Sequence, residues 1–129
     1  MKFKYKKYAP NVIRPVIPIE VNYGKQSIPY EVLVDSGADL NIFDEQIGEL
    51  LGIDIKAGAA QHVSGITKGS EVYYLHNVHM AVGGHQFKTK VGFKKFNRLG
   101  YGVVGQKGFF EFFKVTFDYL KETLELKLK

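Results

Sequence analysis

Five aspartates could supply acid–base chemistry: Asp35, Asp39, Asp44, Asp54 and Asp118. Only Asp35 stands in a setting suited to it, the hexapeptide Leu33-Val34-Asp35-Ser36-Gly37-Ala38. An apolar strand runs into a carboxylate, a small hydroxyl residue and a glycine. That order places the carboxylate at a strand end, in a tight turn whose backbone N–H groups can bond it. Glycine lets neighbouring backbone come close. Asp-Ser-Gly is also an ordinary turn sequence, so the hexapeptide alone points to no reaction.

Other chemistries are poorly supplied. Cysteine is absent, which removes a thiol nucleophile, a disulfide scaffold and a thiolate zinc site together. His76 and His79 share one β segment at a spacing that sends them to opposite faces, and His62 and His85 show no ligand spacing. Neither a metal nor a cofactor is expected. No hydroxyl residue sits in a nucleophile elbow, and no phosphate loop occurs.

Strands must position Asp35. Ile17 to Tyr23 alternates, Gly24-Lys25-Gln26 turns, and Ser27 to Val34 returns as a second strand that loses its alternation as it enters the core. Asp44 can cap a helix whose face is Ile47, Leu50 and Leu51, with Gly52 as its stop. Two β segments flank Ser64-Gly65-Ile66-Thr67-Lys68-Gly69, which has the composition of a mobile hairpin tip. Val78–Val82 and Gln86–Phe93 form a hairpin around Gly83-Gly84. The spacing predicts a short helix over Gly108–Phe113, rich in core aromatics, and a last hairpin from Val115–Tyr119 and Thr123–Leu128. One all-β domain with two short helices is the expectation.

A second motif, Val103-Val104-Gly105, leads into the Gly108–Phe113 segment. The order is the Asp35-Ser36-Gly37-Ala38 loop, Leu40-Asn41-Ile42-Phe43 entering a helix, the glycine-bearing hairpin tip, and the apolar-apolar-Gly motif. This ordered set resembles the retropepsin class of aspartic proteases over about residues 16 to 119. The resemblance implies a single-lobe, closed, barrel-like acid protease fold over residues 16–129, preceded by a basic segment, residues 1–15. It also implies an aspartic endopeptidase. Such proteolysis needs two carboxylates sharing one proton and holding a water between them. One carboxylate takes a proton from the attacking water while its protonated partner hydrogen-bonds the peptide carbonyl. This chain offers one such loop, so the expected active species is a symmetric homodimer with an Asp35 from each copy.

The resemblance implies further roles. Ser36 would hydrogen-bond across the dimer, Gly37 would meet substrate backbone, and Ala38 completes the loop. Ser64, Gly65, Ile66, Thr67, Lys68 and Gly69 would form a flap that closes on an extended peptide. Asp39, Val103 and Val104 join the substrate-binding set, the valines being either pocket wall or core. Two departures stand out. Gln106, followed by Lys107, occupies the place of the arginine that retroviral members pair with the acid at the position of Asp39, so that ion pair is absent or rebuilt. The chain also continues beyond the last motif far enough for a hairpin. An alternative reading follows from these departures: a dimerising or peptide-binding module with little or no catalysis.

Composition narrows the partners. The 129 residues carry a formal charge of +5 from 18 basic and 13 acidic residues. Five of those bases (Lys2, Lys4, Lys6, Lys7 and Arg14) lie in residues 1–19 with no acid among them, and the remaining 13 match the 13 acids. The charge thus describes one end of the chain and argues against nucleic acid as the main partner; salt-sensitive association through residues 1–14 is the weaker reading. Apolar runs are too short to span a bilayer, and the N-terminus lacks a signal-peptide core. A soluble, cytoplasmic domain acting on peptide or protein, without a membrane, is expected.

Overall fold

The computed structural model describes residues 1–64, 70–97 and 100–129. In chain order its elements are β1 (Lys2–Lys4), β2 (Lys6–Ala9), β3 (Val12–Arg14), β4 (Val16–Tyr23), β5 (Gln26–Val34) and β6 (Asn41–Asp44). Helix α1 (Glu45–Leu50) and a single 3-10 turn (Ile55–Ala57) follow. Then come β7 (Ala59–Ser64), β8 (Ser70–Val82), β9 (His85–Lys94), β10 (Gly102–Val104), β11 (Phe113–Asp118) and β12 (Thr123–Leu128).

The main sheet runs β4-β5-β10-β6-β9-β8-β7, and β4 also pairs with β8 through Glu20–Ala81, Val21–Met80 and Asn22–His79. That last pairing closes six strands into a barrel, with β7 added outside along β8. Closure removes the free edges that an open sheet would leave. Strand alternation fills the interior: Ile17, Ile19 and Val21 of β4 are buried between exposed Pro18 and Glu20, and Tyr30, Val32 and Val34 of β5 do the same. Phe43 and Phe93 meet edge to face at 6.1 Å in this core. Full burial of each such ring contributes about 2 kcal/mol.

A second sheet, β1-β12-β11, packs on the barrel through Phe113, Leu124 and Leu126. Phe113 lies 5.0 Å from Phe109 and 5.4 Å from Phe87 between ring centres, which ties the two layers into one core. Residues 1–15 therefore do not stand ahead of the body as a tail. Lys2–Lys4 pair with Thr123–Glu125, and β2 and β3 form a small hairpin of their own.

Two local expectations change. The helix capped by Asp44 forms as read, the Asp44 carboxylate accepting from the Gln46 N–H at 3.2 Å, and Gly52 ends it at φ +83°. Its inner face, however, is Gly48 with Leu51 and a half-buried Ile47, while Leu50 is 61% exposed. Leu50 sits two residues, about 200° of helix, away from Gly48. The Gly108–Phe113 segment is a run of turns rather than a helix; the second short helical element is the 3-10 turn. Gly108 has φ +95°, where a right-handed helix cannot start, and the bonds that follow mix spans of five residues (Phe110 N–H to Gly105 C=O) and four (Phe113 N–H to Phe109 C=O).

Candidate active site

Asp35 follows the last residue of β5, half-buried at the barrel surface. Its backbone N–H donates to the Val104 carbonyl at 3.0 Å, because β10 runs parallel to β5 with Val103 beside Leu33 and Val104 beside Val34. The Asp35 carbonyl accepts from the Ala38 N–H at 3.2 Å, closing a tight turn. Within it, the Gly37 N–H donates to Oδ1 of Asp35 at 2.9 Å. The carboxylate is thus oriented by its own loop, as the order of residues requires. Ser36 and Gly37 are exposed, so the loop presents its outer edge to the surroundings.

The loop is tied down from the other motif. The Ala38 carbonyl accepts from the Gln106 N–H and the Asp39 carbonyl from the Lys107 N–H, both at 2.9 Å. Gly105 lies beneath: a Cβ there would sit 2.5 Å from the Ala38 carbonyl oxygen and 2.8 Å from that of Leu40. Only glycine permits that approach. The Gln106 side chain then donates to the Ser36 carbonyl at 2.7 Å. The contact expected of an arginine–carboxylate pair is therefore rebuilt as a neutral hydrogen bond to the loop backbone, and among the described residues Asp39 has no ion pair.

Asn41, which the motifs did not single out, organises the site from below. It is fully buried, and its Oδ1 accepts from the Gly105 N–H at 3.1 Å. Its Nδ2 donates at 3.2 Å to Thr89 Oγ1, the Lys90 carbonyl and the Gly108 carbonyl. Thr89 in turn donates to the Gly108 carbonyl at 2.7 Å. One amide side chain thereby joins the start of β6 to β9 and to both ends of the Gly105–Gly108 segment. A polar residue opening an otherwise apolar strand, Asn41-Ile42-Phe43, was the available signal. A second buried group, the Tyr30 hydroxyl, is pushed up to about 12 by burial and accepts from the Asp44 N–H at 3.4 Å, so it is a neutral part of the core.

The remaining expected residues divide. Val103 is half-buried on the same partly exposed face as Leu33, whereas Val104 is wholly buried and cannot line a surface. Asp39 is exposed and borders a cleft together with Gln106, Lys107, Glu111 and residues of β7 and β8, including His62 and Asn77. Ser64 ends β7 opposite Ser70, and Gly65, Ile66, Thr67, Lys68 and Gly69 lie outside the described residues. Among the described residues no cluster of acidic and histidine side chains could hold a metal, and no helix is long and apolar enough to cross a membrane. His76 is bonded to the Ile55 carbonyl at 2.7 Å.

The family profile described as aspartyl protease matches residues 17–106. Among solved structures, a retropepsin-like aspartic protease from Rickettsia conorii superposes with a TM-score of 0.71 at 19% identity, over 98% of this chain and 89% of that one. EIAV protease complexed with the inhibitor HBY-793 superposes with a TM-score of 0.53 at 20% identity, over 78% of this chain and 88% of that one. At such identities the likeness establishes the fold. No curated protein sequence matches the chain.

Proposed function

The chain belongs to the aspartyl protease family, and from that membership we propose that it is an aspartic endopeptidase working as a symmetric homodimer, with Asp35 of each copy facing the other across a two-fold axis. The observation that carries this reading is the one Asp-Ser-Gly loop, held by Val104, Gly105 and Gln106 with its outer edge exposed. One chain supplies one carboxylate and the chemistry needs two.

In the proposed cycle two carboxylates that close cannot both be ionised, so they share a proton. The ionised one takes a proton from the bound water as its oxygen attacks the peptide carbonyl carbon. The protonated one donates a hydrogen bond to the carbonyl oxygen as that oxygen gains charge. The tetrahedral intermediate collapses when the carboxylate that took the water's proton passes it to the amide nitrogen and the C–N bond breaks, which returns the pair to its one-proton state. The loop's role is to hold Asp35 still through this exchange, which the Gly37 N–H and the Asp35–Val104 bond favour. Ser36 would bond the partner's loop, and Gly37 would meet the substrate backbone. Asp39, Val103 and the stretch Ser64–Gly69 would contact the extended peptide, the last on sequence order alone.

Asp35→Asn keeps the volume of the side chain and removes its charge, so the variant should fold normally and lose cleavage by at least three orders of magnitude. Cleavage of a mixed peptide library between pH 3 and 7, with and without pepstatin, provides the readout. Undiminished cleavage by the variant overturns the assignment. So does a wild-type chain that cleaves while sedimenting as a monomer.

A further inference from the structure

The partly exposed face of the strands that carry Asp35 continues away from it. On β5, Glu31 and Leu33 share that face with Asp35, while Tyr30, Val32 and Val34 point into the barrel. β10 extends the face with Val103 beside Leu33, and continuing the same register two residues back along both segments, Tyr101, just ahead of β10, falls beside Glu31. On the other side β4 places exposed Pro18 opposite Glu31. The far end of this strip is crossed by β2. Lys6 is ion-paired with Glu31, its Nζ stands 5.4 Å from the centre of the Tyr8 ring, and Tyr8 lies 5.5 Å from Tyr101 with the rings inclined at 47°.

Tyr8, Tyr101, Pro18, Pro29 and Glu31 thereby bound a cleft of about 710 Å³. Its walls are three tyrosines, the half-exposed Tyr8 and Tyr101 with buried Tyr30 behind them, together with two prolines and Ile19, and Lys6 already answers the one carboxylate at its edge. Apolar planes without a free charge select an aromatic side chain over a charged one. Strand rise puts Glu31 about 13 Å from Asp35, the length of roughly four residues of extended peptide. We propose that this cleft is a subsite of the substrate groove that receives an aromatic side chain a few residues from the cleaved bond, with Tyr8 of the N-terminal hairpin as its specificity-determining residue. The proposal rests on the reading of Asp35 as the centre of that groove.

Binding to the Asp35→Asn chain tests it without requiring turnover. Fluorescein-labelled extended peptides identical except for Phe or Ala, scanned through the four positions on each side of the expected cleavage point, give affinities by anisotropy. One position should favour Phe roughly tenfold. Adding Tyr8→Ala should reduce that preference to about twofold while Ala-bearing peptides bind as before, and Tyr8→Phe should restore it. Tyr8 is exposed at the surface, so truncation leaves the fold intact. A Phe preference that survives Tyr8→Ala, an equal loss for every peptide, or no preference at any position overturns the proposal. The two readings fail separately: peptides that bind in the cleft yet stay uncut by the chain with Asp35 defeat the protease reading alone, and cleavage without the preference defeats the subsite alone.

Discussion

The Asp35 loop and the β2–β3 hairpin stand at two ends of one strip of strand, yet they are held in opposite ways. The loop is fixed by backbone: the Asp35, Gln106 and Lys107 N–H groups, the close approach at Gly105, and a buried amide from Asn41. The hairpin meets the same strip through side chains at the surface, Lys6 with Glu31 and Tyr8 with Tyr101. A catalytic carboxylate must be held within a fraction of an ångström, and buried backbone bonds supply that rigidity. A wall that selects side chains needs only shape and a suitable surface, and exposed aromatic residues supply it with little cost if exchanged. On the proposed reading, the difference marks which parts of the groove should vary in sequence without loss of the chemistry.

Substitution at Gly105 should separate the two regions most sharply. Gly105→Ala drives a methyl into two backbone carbonyls, which cannot move without shifting the Asp35 loop. The expected cost is about 3 kcal/mol, seen as a fall in Tm of roughly 10 °C, with cleavage lost even well below that Tm. Asn41→Ala comes next. It leaves the Gly105 N–H without its buried acceptor, at about 2 kcal/mol by urea denaturation, with a lower kcat and little change in KM. At the hairpin, Lys6→Ala should leave the denaturation midpoint unmoved, because exposed ion pairs contribute little, and should alter peptide preference at a single position only. If Lys6→Ala unfolded the chain more than Asn41→Ala, the contrast between a rigid loop and a replaceable wall would collapse.

Much of this was legible along the chain. The β4–β5 hairpin, the Asp44 cap and the glycine stop are written in neighbouring residues, and they formed where the turn and capping residues placed them. The errors share one cause. Gly108–Phe113 has the aromatic spacing of a core helix, but Gly108 sits at φ +95° with its carbonyl bonded to Asn41 and Thr89, 67 and 19 residues away. Leu50 fits a helical face by period, but the barrel presses on Gly48 instead. Val103 and Val104 look alike in sequence, and only the pairing of β10 turns one outward and buries the other.

By itself the sequence determined the order of the motifs and the count of one Asp-Ser-Gly loop in these 129 residues, the count from which the proposed pairing of two copies follows. Turn chemistry, capping and strand alternation act between residues a few positions apart, so they can be read in order. Tertiary structure alone decided that the basic N-terminus is folded against the barrel, that Gln106 replaces a charge pair by bonding Ser36, and that Asn41 joins β6 to β9 and to the Gly105–Gly108 segment beneath the loop. Those bonds link residues 48 or more positions apart, or strands from opposite ends of the chain. Closing the barrel brings such residues together, and nothing in their local neighbourhoods marks them beforehand.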